Sequence, residues 1–149
     1  MKEKGIALFQ LFLPILGGSI MGILIRNFMD YNNLIQPPFA PPAFLFPIAW
    51  SILYLLIGFG YFLYRKLNNN KVVILLYYIH LIINFLWSII FFILKWRLLS
   101  VLWIIFLVIL VMLLMNYFYL ERKISFYLFI PYLLWLFFAT YLTIGIYFL

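Results

Sequence analysis

Five apolar runs, at about Ile6 to Met29, Ala43 to Leu67, Val72 to Leu94, Leu98 to Leu120 and Ile124 to Leu149, take up nearly all of this 149-residue chain. Each is long enough to cross a bilayer, which needs roughly 20 consecutive apolar residues in a helix. In lipid a segment must satisfy its own backbone hydrogen bonds, so runs of this length are helices. The fold class that follows is an all-α membrane protein, a five-transmembrane-helix bundle forming a single membrane domain over residues 1–149. Composition agrees, since 70% hydrophobic and 9% charged residues leave too little polar surface for a soluble domain. Any activity therefore sits between helices or in short loops. The start, Met1-Lys2-Glu3-Lys4 before an apolar run, has the outline of a secretory leader. The run is too long and no small-x-small site follows, so it reads as a retained helix.

Ten Lys and Arg face three acidic residues. Lys2, Lys4, Arg65, Lys66, Lys71, Arg122 and Lys123 fall on the N-terminal side of the membrane, and Arg26, Lys95 and Arg97 on the other. That bias predicts a cytoplasmic N-terminus. It also accounts for the basic balance through topology and lipid headgroups, without nucleic acid. Glu3, Asp30 and Glu121 all lie at helix ends, so no carboxylate pair is placed for acid/base catalysis and no mid-membrane acid for a proton relay. With no Cys and His80 as the lone histidine, a thiolate metal site and a protein metal site with several His ligands are excluded. His80 either hydrogen-bonds within the bundle or supplies one axial bond to a haem iron.

The richest stretch runs from Pro41 to Gly58, a proline-rich approach feeding an aromatic helix in which Phe46, Trp50, Tyr54 and Gly58 share one face. On the third helix His80, Asn84, Trp87, Ser88 and Phe91 share a face. Asn and His are costly against lipid, so this face turns inward, either bonding to neighbouring helices or lining a cavity. On the fifth helix Tyr132, Trp135, Ala139 and Thr143 form a second aromatic wall with a small residue beside the ring. Two readings fit these stripes, packing or interface belts on one hand and the walls of a pocket for a flat, apolar ligand on the other. Gly18 and Gly22 form a GxxxG that serves a dimer contact or packing inside the chain. The nearly featureless fourth helix is assigned to lipid or dimer contact. Residues 30–42, stiffened by four prolines, form either an irregular connection or a lid folded over the bundle.

These motifs resemble the TspO/MBR family, the tryptophan-rich sensory proteins of bacteria and the translocator protein, or peripheral benzodiazepine receptor, of mitochondria. Its loop pattern is met by Tyr31, Leu34, Pro37 and Pro41-Pro42. Its second-helix pattern is met by Phe46-Pro47, Trp50, Leu53-Tyr54 and Gly58. The third-helix pattern matches Asn84, Trp87-Ser88 and Phe91-Phe92, and the fifth matches Pro131-Tyr132, Trp135 and Phe138-Ala139-Thr140. The resemblance implies a bundle that is often a homodimer, with a cavity closed by the first loop. That cavity binds porphyrin, haem, drug-like hydrophobic small molecules and, in animal members, cholesterol. By position it includes Tyr31, Pro41, Trp50, Asn84, Trp87, Trp135 and Ala139.

Asp30, Gln36, Phe39 and Phe44 stand where the family has Trp, Lys, Trp and Trp, so the lid lacks aromatic and cationic groups. His80 replaces a frequent Gln and Thr143 an Asn. The expected function is a binding or sensory protein for porphyrin-like tetrapyrroles in a bacterial-type cell membrane, with no cofactor required. The alternatives are light- and oxygen-dependent porphyrin degradation through Trp50 and Trp135, and transport of a tetrapyrrole or lipid.

Overall fold

The computed structural model describes residues 2–28 and 30–149. Met1, Met29 and the side chains of residues 2–7 lie outside the described residues, and with them Lys2, Glu3 and Lys4 of the charge tally. Five long helices follow one another: α1 (Lys2–Ile25), α2 (Leu45–Leu67), α3 (Lys71–Ser88), α4 (Arg97–Glu121) and α5 (Lys123–Phe148). All five contain a span long and apolar enough to cross a membrane, as the hydropathy pattern predicts. A π-helical segment, Ile89–Leu94, continues α3, and two short 3-10 turns, Arg26–Phe28 and Tyr31–Asn33, follow α1.

The principal helix contacts close a ring. α1 packs on α2 and α3, α2 on α5, α5 on α4, and α4 on α3. Burial of apolar surface does not drive helix association in lipid, because lipid tails are as apolar as leucine; close packing and interhelical hydrogen bonds do so instead. Both are concentrated at the end of the ring that holds the α2–α3 turn. There Tyr61 and Tyr77 stack with ring centroids 3.6 Å apart. Tyr64, Phe118 and Phe129 fill the space between α2, α4 and α5, all without solvent exposure. Ser125 donates to the Gly60 carbonyl at 2.6 Å, tying α5 to α2. Glu121 accepts from Tyr64 at 3.2 Å and Asn70 at 3.3 Å, fixing the α2–α3 turn to the end of α4.

Two glycines set the crossing of α1 and α2. A Cβ on Gly58 would run into the backbone carbonyl of Leu11, and one on Gly18 into the ring of Tyr54. Gly18 therefore serves packing inside the chain. Gly22, the other half of the GxxxG, has nothing within 4 Å of its Cβ position. The two helices meet closely around Gly58 and separate toward Gly22.

The fourth helix corrects its assignment to lipid or dimer contact. One side of α4 is among the most deeply buried surfaces in the chain, with Ile104, Leu107, Val111, Leu114 and Phe118 at 2% exposure or less. Trp103 donates its indole N–H to the Ile83 carbonyl of α3 at 2.8 Å. Only the opposite face, with Leu102, Ile105, Ile109 and Met112, is exposed. A helix apolar all round carries no periodic signal to show which side faces protein.

Candidate ligand-binding cavity

Above the tyrosine-packed end the ring encloses a cavity of about 530 Å³. Its floor is a buried hydrogen-bonded row. Tyr54 donates to the Asn84 side-chain carbonyl at 2.7 Å, and the Asn84 amide donates to the Tyr132 hydroxyl at 2.7 Å. One asparagine thus satisfies groups from α2 and α5 at once, as a buried amide must to offset its desolvation.

The walls rise from this floor. α2 contributes Phe46, Pro47, Trp50, Ser51 and Tyr54; α5 contributes Trp135, Ala139, Leu142, Thr143 and Ile146. Trp50 and Trp135 meet edge to face at 6.4 Å, and Phe46 meets Trp135 at 6.0 Å. Small Ala139 beside Trp135 leaves the space open. Across the cavity Trp87, Ser88, Phe91 and Phe92 line the third wall. Successive residues of a regular helix diverge by 100°, so the wider π turn helps two adjacent rings, Phe91 and Phe92, reach the same cavity. Trp87 stacks on Phe91 at 5.0 Å, and the Arg97 guanidinium lies over that ring, 4.2 Å from its centroid. The indole N–H groups of Trp87 and Trp135 are buried without an acceptor among the described residues. The hydroxyl of Thr143 bonds to the Ala139 carbonyl of its own helix.

The fourth wall is α1, through Gly18, Ser19, Gly22, Ile23 and Ile25, with Arg26 in the turn that follows it. Sequence reasoning missed these residues, because only the glycine spacing marked this helix. Ser19, Gly22 and Ile23 on α1, Arg26 in the turn after it, and Pro47 and Ser51 on α2 are both cavity-lining and exposed. The cavity therefore opens sideways where α1 and α2 separate.

The loop from residue 30 to 44 folds back over the bundle and is fastened on both sides. Asp30 pairs with Lys95 at 3.3 Å and Arg97 at 3.7 Å. Tyr31 packs edge to face on Phe46 at 4.9 Å and donates to the Pro41 carbonyl at 2.9 Å. Its burial pushes the phenol above its ordinary pKa. Opposite, Tyr141 donates to the Pro38 carbonyl at 2.6 Å, and Pro37 sits on Gly145, where a Cβ would come within 2.6 Å. Two of the four unusual loop residues are thus internal ties: Asp30 through its ion pairs and Gln36 through its bond to the Tyr31 carbonyl at 2.8 Å. The other two point outward, Phe39 at 92% exposure with φ 66° and Phe44 at 69%.

Of the residues expected to line a pocket, Tyr31, Phe46, Trp50, Tyr54, Trp87, Ser88, Phe91, Trp135, Ala139 and Thr143 do line this cavity. Four are placed elsewhere. Pro41 lies behind Tyr31 as its hydrogen-bond acceptor. Asn84 and Tyr132 lie within the floor, their polar atoms turned to each other. His80, one turn further along α3, is fully buried near Tyr77, Phe129 and Tyr132, and its Nδ1–H donates to the Tyr77 carbonyl at 2.6 Å. One stripe on a helical wheel thus divides into a lining part and a core part, because the cavity occupies only half the length of the bundle.

The sequence profile of the TspO/MBR family matches residues 10–149. A tryptophan-rich protein TspO of Archaeoglobus fulgidus is 40% identical over 121 residues, covering 80% of this chain and 78% of its own. A tryptophan-rich sensory protein of Cereibacter sphaeroides is 33% identical over 87 residues, 58% of this chain and 55% of its own. A translocator protein homolog of Schizosaccharomyces pombe is 35% identical over 81 residues, 50% of this chain and 49% of its own. With its five membrane-spanning helices and a family match along nearly its whole length, the chain is an integral multi-pass membrane protein that belongs to the TspO/MBR family.

Proposed function

We propose that this protein is a binding or sensory protein for flat, hydrophobic ligands of the porphyrin or haem type, held between Trp50 and Trp135 on one side and Trp87 and Phe91 on the other. The observation that carries the reading is an aromatic-walled cavity of about 530 Å³ beneath a fastened loop. Its size lies within the roughly 300–1,000 Å³ usual for small-molecule sites. Flat rings against indoles and phenyls gain area and offset stacking without needing directional bonds. The charge bias of the loops supports a cytoplasmic N-terminus, which puts the cavity in the outer half of the membrane.

The test is a titration of the purified protein with protoporphyrin while tryptophan emission is followed, in the wild type and in Gly22→Leu. Binding in the cavity quenches the emission and leaves pigment on the protein after gel filtration. The new leucine, which meets no protein atom close to its Cβ, projects into the cavity and weakens binding about tenfold or more, with the fold intact. Unchanged emission and no retained pigment in the wild type would sink the reading.

A second reading, light- and oxygen-dependent breakdown of the bound porphyrin, is favoured by one arrangement. Trp50 touches Trp135 at 6.4 Å and stacks on Tyr54 at 5.3 Å, a continuous row of oxidisable rings beside the ligand space. Under illumination in air, Trp50→Phe or Trp135→Phe then slows loss of the porphyrin band far more than it weakens binding. Equal bleaching in protein-free detergent disposes of this reading.

A further inference from the structure

Among the residues lining the cavity, one carries a formal charge: Arg26, in the turn that ends α1 and beside the sideways opening. No carboxylate shares the lining. Asp30 is held by Lys95 and Arg97, and Glu121 by Tyr64 and Asn70 at the opposite end of the bundle. Glu3 belongs to the first turn of α1, so it is roughly 35 Å of helix away from Arg26 at 1.5 Å per residue. Arg26 makes no ion pair or side-chain hydrogen bond among the described residues.

We propose that Arg26 makes this cavity selective for acidic ligands, with a flat apolar body against the rings and a carboxylate at the mouth paired to the guanidinium. The proposal rests on the cavity being a ligand site and names the ligand's chemistry and the residue that reads it. A guanidinium suits a carboxylate because it stays charged and its planar fork offers two parallel N–H donors. Beside an apolar cavity, water competes less for that pair than on an open surface. The position also supplies a cation where the lid lacks the lysine of the family pattern. Gln36, which stands there, uses its amide on the Tyr31 backbone, and the charge enters instead from the end of α1.

The experiment compares protoporphyrin IX with its dimethyl ester, which has the same ring and no carboxylate. Both are titrated into the full chain in non-ionic detergent, in the wild type, Arg26→Gln and Arg26→Lys. The wild type binds the diacid about tenfold or more tightly than the ester, the range of one charge-assisted contact. Arg26→Gln brings that ratio close to one, chiefly by weakening binding of the diacid, and Arg26→Lys keeps an intermediate preference. Equal affinity of the wild type for acid and ester overturns the role of Arg26 while leaving the cavity as a ligand site. Parallel loss of both pigments in Arg26→Gln also overturns it, marking Arg26 as a packing or headgroup residue. Failure of the wild type to bind either pigment overturns the cavity reading and this proposal with it.

Discussion

The two halves of this bundle are made of the same materials and do opposite things. Both are built mainly of large apolar and aromatic side chains on the same helices. At the end near the α2–α3 turn, Tyr61, Tyr64, Tyr77, Phe118 and Phe129 pack without exposure. At the loop end, Trp50, Trp87, Phe91 and Trp135 surround about 530 Å³ of space. What differs is helix separation. Gly58 lets α1 lie directly on α2, and Gly60 lies under the Phe129 ring, within 3.0 Å of a Cβ position. Gly22, on the same helix as the tight crossing, faces open space. Aromatic content thus supplies wall material, and backbone spacing decides whether the walls close.

The sharpest way to break this comparison is to close the glycine gap. Gly58→Ala puts a methyl group onto the Leu11 carbonyl, where neither partner is a flexible side-chain end. A loss of about 3 kcal/mol is expected, at the top of the usual overpacking range. It is read as a drop of several degrees in the unfolding midpoint in detergent. Gly22→Ala, the same chemical change on the other side of the divergence, should alter stability by no more than about 0.5 kcal/mol. Similar effects at both positions would mean that helix spacing does not separate the halves.

The boundary between the halves is the next place to test. Asn84→Leu leaves Tyr54 without its acceptor and Tyr132 without its donor, in a buried site. A cost of about 1–3 kcal/mol is expected, together with weaker pigment binding as Tyr54, a wall residue, loses its anchor. Stability lost with affinity unchanged would show that the floor supports the packed half alone.

The smallest loss of stability is expected inside the packed half. The Tyr77 hydroxyl is buried without a hydrogen-bond partner among the described residues. Tyr77→Phe removes it and keeps the ring that stacks on Tyr61, so stability should be unchanged or raised by up to about 1 kcal/mol. Loss of more than that in thermal unfolding would reveal that the hydroxyl has a partner, such as a buried water.

These outcomes bear on how much of the molecule is legible from its sequence. Helix number and approximate limits are readable because the lipid requirement is blunt: a run of about 20 apolar residues has few alternatives to a spanning helix. Phe46, Trp50 and Tyr54 are readable as one face, since α2 carries polar and small residues that break its apolar pattern. α4 is not, because every side of it is apolar and pattern cannot distinguish lipid from protein. His80 shows the same limit along the axis. A helical wheel aligns it with Asn84 and Trp87, but a wheel has no depth coordinate, and His80 falls on the packed side of the floor. The π segment after Ser88 leaves no mark in the sequence, because its residues, Ile89-Ile90-Phe91-Phe92-Ile93-Leu94, would suit an ordinary helix equally well.

The sequence alone determined the solvent of this protein, its five crossings, the absence of carboxylate chemistry in the membrane and the family to which its motifs point. Those properties depend on composition and local spacing, which a linear chain displays directly. Tertiary structure alone decided where the space lies, that Asn84 and Tyr132 form its floor while His80 stays beneath it, and that α1 supplies a wall and the turn after it a cation. Each of these depends on the distance between helix axes, and contacts such as Gly58 on Leu11 set that distance between residues far apart in sequence.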